Sequence, residues 1–219
     1  LEEFLRALPT DTDDFARPNL FVNTPDILTE YLQFGGRAAF MARAVLAATL
    51  AASYGIYGPA FELMEHTARE PGSEEYLDSE KYQIRQWDLE RQDSLAELIG
   101  RLNRARRDNP ALQSDGSLTF HGIDNEAMIC YSKADGDNVV LTIVNLDPYH
   151  AQSGWTALDL DALGIDANTP YQMHELLGGG RYLWQGARNF VQLDPQRVPA
   201  HVFRLRRKVR SERDFDYFL

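Results

Sequence analysis

The pattern of apolar and polar positions divides the chain into two halves. From residue 1 to about residue 112, helical periodicity alternates with short apolar runs, whereas short alternating or β-branched runs follow from Gly116 onward. The first pattern is typical of parallel α/β units, and the second is typical of an antiparallel sandwich. We therefore predict an α/β domain over residues 1–112, an all-β domain over residues 113–207 and a tail over residues 208–219.

The elements of the first half are a helix ended by Pro9, a buried strand, an alanine-rich helix, a second strand-like run and a last helix. Their predicted ranges are residues 1–8, 19–23, 38–53, 54–59 and 94–108. The alanine-rich run contains Arg43 and is shorter than the roughly 20 apolar residues that a membrane span needs. It therefore predicts a buried helix.

A long polar segment runs from Glu62 to about Trp87 and is rich in carboxylates. Loops of this length without internal periodicity are unusual in compact domains and are commonly functional. In barrels built from parallel strands, the loops that follow the strands carry the active site. The pattern therefore predicts that this segment contributes to a functional site.

The second half contains seven predicted strands, separated by turn sequences such as Asp-Gly and Gly-Gly-Gly. They cover residues 117–123, 127–133, 139–146, 156–160, 171–176, 190–193 and 201–205.

Composition narrows the functional classes. The formal net charge of −11 disfavours nucleic acid as a partner, because the surface would repel a phosphate backbone, whereas neutral sugars are compatible with it. The one cysteine, Cys130, cannot form a disulfide within the chain, which favours a reducing compartment and hence the cytoplasm. The first residues lack the features of a signal peptide and begin within a helical pattern, so we expect a further N-terminal part.

Two carboxylates follow the predicted strands. Asp26 comes just after the first strand, where acidic groups in such barrels face substrate, although an N-cap or an Asx turn would also explain it. Glu62 follows the second strand and could bind sugar hydroxyls or brace a loop. Its alternative is a structural pair with Arg37 or Arg85.

The long loop offers a third candidate, Lys81 with Tyr82. An ammonium and a flat aromatic ring are groups that carbohydrate sites use, but a solvated charge run would explain the same residues. The five histidines are scattered without metal-ligand spacing, and no P-loop, nucleophile elbow or dinucleotide fingerprint is present. The sequence therefore predicts neither a metal nor a cofactor.

Four segments of the first half resemble the maltosyltransferases that use α-maltose-1-phosphate, in the α-amylase superfamily (glycoside hydrolase family 13). They are residues 21–26, 32–40, 57–62 and, most specifically, residues 71–82 with the sequence Pro-Gly-Ser-Glu-Glu-Tyr-Leu-Asp-Ser-Glu-Lys-Tyr. General amylases usually have Asn-His-Asp where this chain has Asn-Thr-Pro-Asp. That departure favours the transferase branch.

The resemblance implies a fold, an activity and residue roles. The fold would be the last part of a (β/α)₈ barrel, from about helix six through helix eight, followed by an antiparallel β-sandwich. Asp26 would stabilise the transition state, Lys81 and Tyr82 would hold the maltosyl unit, and Glu62 would have a supporting role in substrate binding. The activity would be retaining transfer of maltosyl from α-maltose-1-phosphate to the non-reducing end of an α-1,4-glucan.

The resemblance also implies what this chain lacks. The nucleophile and the acid/base of the superfamily come from barrel strands four and five, so the 219 residues alone are expected to be inactive. The expected partners are the two substrates, the remaining N-terminal part of the same protein and a second copy in a homodimer, with no nucleic acid and no membrane.

Other functions remain open at this point. Another glycosylase of the superfamily, such as a trehalose synthase, a phosphorylase or a branching enzyme, would share much of the pattern, and a scaffold derived from an amylase is a further possibility. Alternatively, the β domain could be a non-catalytic carbohydrate-binding module. Its aromatic candidates, most of which we expect in the core, are Tyr131, Trp155, Tyr171, Tyr182 and Trp184. The enzyme hypothesis requires Asp26, Lys81 and Tyr82 to meet in space.

Overall fold

The structure is a computed structural model that describes residues 17–207. The helix predicted over residues 1–8 and the tail over residues 208–219 lie outside the described residues.

The first half contains a parallel strand–helix–strand unit. Strands β1 (Asn19–Phe21) and β2 (Ser53–Gly55) pair in parallel, with Leu20 opposite Tyr54. Helices α1 (Glu30–Phe34) and α2 (Gly36–Leu50) connect them. Two parallel strands need such a helical crossover between them. The predicted alternation of strands and helices is therefore present in these residues.

Helix α2 is buried on nearly all sides, which explains its alanine content. Small side chains allow it to pack against both the parallel strands and the sheet of the second half. The charged residue inside it, Arg43, is satisfied because its Nε donates to the Val22 carbonyl at 2.9 Å. The predicted buried helix is thus confirmed, and no helix within residues 17–207 is long and apolar enough to cross a membrane.

A short helix α3 (Gly58–Glu62) follows β2, and the next helix, α4, is Ala96–Asp108. The segment between them has neither helix nor strand, so the loop is longer than predicted. It is nevertheless packed, because the Leu28 amide donates to the Glu74 carbonyl at 2.6 Å and Tyr76 is buried. A 3₁₀ helix, Pro110–Gln113, leads to the second half.

Two cations bind the carbonyls at the C-terminal end of α2. Arg106, on α4, donates to the carbonyls of Ala48 at 2.5 Å, Ala51 at 3.1 Å and Ala52 at 2.5 Å. Lys133, from the second half, donates to the Leu50 carbonyl at 3.3 Å. These last carbonyls have no partner within the helix, so the cations satisfy them and face the negative end of the helix dipole.

Eight strands form the second half. They are β3 (Thr119–Ile123), β4 (Met128–Asp135), β5 (Asn138–Asn145), β6 (Gln152–Ala157), β7 (Tyr171–Glu175), β8 (Arg181–Trp184), β9 (Phe190–Leu193) and β10 (Ala200–Arg206). All pairs are antiparallel, in the order β8-β7-β10-β5-β4-β3-β6-β9. Strand β8 was not predicted, because three of its four residues are exposed at the sheet edge and the alternating pattern is absent.

The strands form one continuous sheet, which curls, rather than two separate sheets. Val191 of β9, at one end, shares a core with Tyr171 of β7 and Trp184 of β8, at the other end. The central strands are buried on both faces: Cys130 points into that core, whereas the adjacent Tyr131 belongs to the core around α2. The antiparallel β-rich second half is confirmed, and its strands form a single curled sheet.

Candidate functional site

The C-terminal ends of β1 and β2 lie side by side because the two strands are parallel. The residues that follow β1 meet the end of the long loop at this edge. Ser79 Oγ donates to the Pro25 carbonyl at 3.2 Å and accepts from the Lys81 amide at 3.3 Å. A hydroxyl group of the loop therefore connects the residue before Asp26 to the backbone of Lys81.

Asp26 and Lys81 form an ion pair at this edge. Lys81 Nζ lies 2.7 Å from Asp26 Oδ1, and the two side chains are 42% and 55% exposed, respectively. Hydrogen bonds with Asp26 and then with Tyr82 raise the pKa of Lys81, so the ammonium is held in its charged form. Its nitrogen lies 5.3 Å from the centroid of the Tyr82 ring. The three predicted residues therefore meet in space.

This arrangement suits the recognition of a neutral sugar. The carboxylate accepts hydrogen bonds from hydroxyl groups, the ammonium donates them, and the Tyr82 side chain, 69% exposed, offers a flat apolar face. A carboxylate beside a developing positive charge also stabilises it. The specific roles of Asp26, Lys81 and Tyr82 stay predictions.

Behind the ion pair, a buried amide joins three segments. Asn23, which is 3% exposed, accepts from the Tyr57 amide at 2.9 Å and donates to the Tyr76 hydroxyl at 2.8 Å. Burial raises the pKa of Tyr76 to about 12, which keeps that hydroxyl neutral. The sequence pattern did not single out Asn23 as a functional residue. A polar amide at the end of an apolar strand was the signal available for it, since a buried amide needs partners.

A second network fixes the loop around Lys81. Glu80 Oε2 accepts from the Tyr57 hydroxyl at 2.6 Å, and Glu80 Oε1 accepts from Trp87 Nε1 at 3.0 Å. The Arg85 guanidinium lies 4.1 Å from the centroid of the Trp87 ring and pairs with Glu65 at 2.7 Å. We call these five residues the Glu80 network. Glu80 is hydrogen-bonded within this network, and Lys81 is paired with Asp26. These two charged residues of the loop are therefore bound to other side chains rather than only to solvent.

Glu62 is the last residue of α3, and its carbonyl accepts from the Leu95 amide at 2.8 Å. Within residues 17–207, no described hydrogen bond or ion pair joins its carboxylate to the Asp26–Lys81 pair. The alternative partners are also engaged elsewhere: Arg85 pairs with Glu65, and Arg37 donates to the Asp93 carbonyl. A supporting role for Glu62 in substrate binding stays a prediction.

The aromatic candidates of the second half divide into buried and exposed side chains. Tyr131, Tyr171 and Trp184 are buried, whereas Trp155 is 45% exposed and Tyr182 is 43% exposed. The expectation that most of them fill the core is confirmed. In the part of the chain that the structure describes, no group of three or more His, Cys, Asp or Glu side chains is placed to hold a metal ion.

Comparison with known protein families gives one match in the second half. The family model described as "GLGE, C-terminal" matches residues 120–205. These residues run from β3 to β10, and so cover the curled sheet.

Curated relatives match nearly the whole chain. The alpha-1,4-glucan:maltose-1-phosphate maltosyltransferase of Corynebacterium glutamicum is 51% identical over 207 residues, which are 92% of this chain and 30% of that protein. The maltosyltransferase 2 of Streptomyces coelicolor is 49% identical over 211 residues, 94% of this chain and 31% of that protein. The chain thus spans about a third of the length of these relatives.

Solved structures with the same fold include an α-amylase from Geobacillus thermoleovorans complexed with acarbose. It has a TM-score of 0.66 at 14% identity, and the match covers 95% of this chain and 43% of that one. The maltogenic α-amylase AmyB from Thermotoga neapolitana also has a TM-score of 0.66, at 15% identity, with 95% and 45% covered. At these identities the likeness concerns the fold alone.

Proposed function

We propose that this chain, which is similar to part of the α-1,4-glucan:maltose-1-phosphate maltosyltransferases, supplies part of the donor site of such an enzyme. The complete enzyme transfers maltosyl from α-maltose-1-phosphate to the non-reducing end of an α-1,4-glucan. The observation that carries the proposal is the contact of Asp26 with Lys81 beside the exposed ring of Tyr82.

The chemistry proceeds in two displacements with retention of configuration. A carboxylate attacks the anomeric carbon, the bond to phosphate breaks, and a glycosyl-enzyme ester forms. The 4-hydroxyl of the glucan then attacks the same carbon, a general base takes its proton, and the ester bond breaks. Both transition states carry positive charge at the anomeric centre. Asp26 stabilises that charge, while Lys81 and Tyr82 hold the sugar, with support from Glu62.

We propose that the nucleophile and the acid/base lie in the part of the complete enzyme that this chain does not span. We propose that this remaining part adds strands to the open edges of the β1–β2 pair and completes a (β/α)₈ barrel, to which the chain contributes from about helix six through helix eight. Parallel sheets are normally covered on both faces and paired at their edges. Large apolar side chains exposed in the first half support this proposal, namely Phe21, Ile27, Phe34, Leu77, Ile84 and Leu89.

We also propose that the complete enzyme acts in the cytoplasm as a homodimer and needs neither metal nor cofactor for the transfer. The single buried cysteine, Cys130, is compatible with a reducing compartment.

The test uses the complete enzyme with α-maltose-1-phosphate and maltoheptaose. We expect release of inorganic phosphate together with products that are longer by steps of two glucose units. Parallel reactions contain inorganic phosphate with maltose, trehalose or sucrose. Phosphorolysis of trehalose or sucrose, or extension by single glucose units, would contradict the proposal and favour another glycosylase of the superfamily.

A further inference from the structure

The loop that carries Lys81 is attached through the two residues that precede this lysine. Ser79 Oγ donates to the Pro25 carbonyl. Glu80 accepts hydrogen bonds from Tyr57 and Trp87 with its two carboxylate oxygens. Three side-chain hydrogen bonds from two consecutive residues therefore fix the backbone that leads into Lys81.

Lys81 depends on this attachment. Its side chain is 42% exposed, and a lysine stem with four carbons has many rotamers. The segment between α3 and α4 has neither helix nor strand, and such segments open at low free energy when little holds them. The location of the ammonium group is thus set by the local backbone and by its bond to Asp26.

Glu80 connects that backbone to two separate parts of the first half. Tyr57 follows β2 and precedes α3, so its hydroxyl is anchored near the end of the parallel strands. Trp87 lies further along the loop and is in contact with Arg85, which pairs with Glu65 just after α3. The Glu80 carboxylate therefore bonds directly to Tyr57 at the strand end and to Trp87 in the later part of the loop. Through Trp87 and Arg85 it is also connected to Glu65 at the start of the loop.

We propose that Glu80 is a positioning residue for maltosyl transfer: by accepting hydrogen bonds from Tyr57 and Trp87, it fixes the backbone that presents Lys81 to Asp26 and to the donor sugar. The inference rests on the proposed function, because it assigns Glu80 to the same site. Glu80 acts through Lys81 and is assigned no contact with the sugar.

The test compares variants of the complete enzyme. We expect Glu80→Ala to lower kcat/KM for α-maltose-1-phosphate about 10- to 100-fold, since displacing a positioned group by about 1 Å can cost about 100-fold. Most of the loss should be a higher KM, because Lys81 holds the sugar before and during the reaction. Glu80→Gln, which keeps one carbonyl acceptor, should restore most of the activity. Glu70→Ala, at an exposed glutamate of the same loop, is the matched control and should behave as wild type.

A double-mutant cycle with Lys81→Ala isolates the role. If Glu80 acts through Lys81, then Glu80→Ala should lower kcat/KM less than about twofold when Lys81 is already absent, because contacting residues are non-additive. If Glu80→Ala lowers kcat/KM equally in the wild type and in Lys81→Ala, the proposal is overturned. A lower kcat with unchanged KM would also overturn it, because that result indicates a smaller folded fraction. If Glu80→Ala misfolds, Tyr57→Phe removes one of the two bonds and must raise KM in the same direction.

The outcomes separate the two proposals. A wild-type enzyme that releases no phosphate from α-maltose-1-phosphate overturns the proposed function and this inference together. A wild-type enzyme that is active and impaired by Lys81→Ala, but unaffected by Glu80→Ala, overturns the inference alone.

Discussion

At the scale of single residues, the Asp26–Lys81 pair is exposed to a degree at which ion pairs contribute little to stability. Each side chain must be ordered for the pair to form, and solvent weakens the attraction between the charges. The contribution of this pair to the stability of the fold is therefore small. This separates the effect of a substitution on activity from its effect on stability.

Asp26→Asn should reduce kcat/KM for maltosyl transfer by a factor of about 100 to 1,000, the range seen when one preorganised electrostatic contact to a transition state is lost. The amide keeps the size of the side chain but not its charge. Phosphate release by the complete enzyme measures the effect. Asp78→Asn is the control, because Asp78 is exposed in the same loop and asparagine tolerates its positive φ of 53°.

Lys133 is a residue for which stability does depend on charge. Its side chain is 1% exposed, and burial lowers its pKa from 10.5 to about 8. Asp115, 4.0 Å away, opposes this shift, and Arg106 adds to it. In the unfolded chain the ordinary pKa returns, so the unfolded state binds more protons between pH 8 and pH 10. The free energy of unfolding should therefore rise with pH in this window, by about 3 kcal/mol for the full shift.

Lys133→Met should remove this contribution. As the pH rises from 8 to 10, we expect the unfolding temperature of the wild type to increase relative to that of the variant. Thermal unfolding at several pH values checks it, and the comparison cancels the groups that both proteins share. Lys81→Met, at an exposed lysine, should leave the dependence on pH in this window unchanged. If the unfolding temperatures of Lys133→Met and the wild type change equally with pH from 8 to 10, the assignment of this pH dependence to Lys133 is wrong.

At the scale of elements, the end of α2 depends on a side chain from α4. Arg106 satisfies three carbonyls there, and its guanidinium also lies 4.9 Å from the centroid of the Tyr54 ring on β2. One residue therefore joins α2, β2 and α4. Its neighbour Arg107 is exposed and pairs only with the adjacent Asp108 at 3.4 Å among the described contacts.

Arg106→Gln should destabilise the first half by on the order of 2–4 kcal/mol, because partly buried carbonyls lose charged hydrogen-bond donors. Arg107→Gln makes the same change in charge one residue further along the helix and should have little effect. The urea midpoints of the two variants of the complete enzyme measure the difference. Equal urea midpoints for the two variants would contradict this prediction. They would show that water can replace the Arg106 guanidinium at these carbonyls without loss of stability.

At the scale of the whole molecule, the described part of the first half, from residue 17 onward, has two strands with open edges beside exposed apolar side chains. The second half has one closed core inside its curled sheet and a second core that it shares with α2. The sheet therefore covers one side of the parallel unit. The other side is where the proposed barrel continues.

The 219 residues alone should show no turnover of α-maltose-1-phosphate. They should also self-associate, because strand edges are open and apolar side chains are exposed among residues 17–207. Size-exclusion chromatography and phosphate release check both statements. Addition of the separately prepared remaining part of the enzyme should give a one-to-one complex with measurable transfer. Glucan extension by the isolated chain would contradict the assignment of nucleophile and acid/base to the remaining part.

Residue patterns indicated most elements because periodicity is local. The alanine-rich run predicted α2, and alternation predicted seven of the eight strands. Strand β8 was missed because an exposed edge strand lacks alternation, and β6 begins at Gln152 rather than Thr156 because its first residues are polar. The resemblance indicated Asp26, Lys81 and Tyr82, whereas Asn23 and Glu80 could not be assigned, because their partners lie elsewhere in sequence.

By itself, then, the sequence determined the α/β and all-β character of the two halves, the buried nature of α2 and the candidate residues Asp26, Lys81 and Tyr82. The tertiary structure decided that Lys81 meets Asp26, that Glu80 is bonded on both oxygens and that the strands form a single curled sheet. The reason is physical: local periodicity reports which face of an element is buried. A hydrogen bond between Ser79 and Pro25, 54 residues apart, depends on the packing of every element between them.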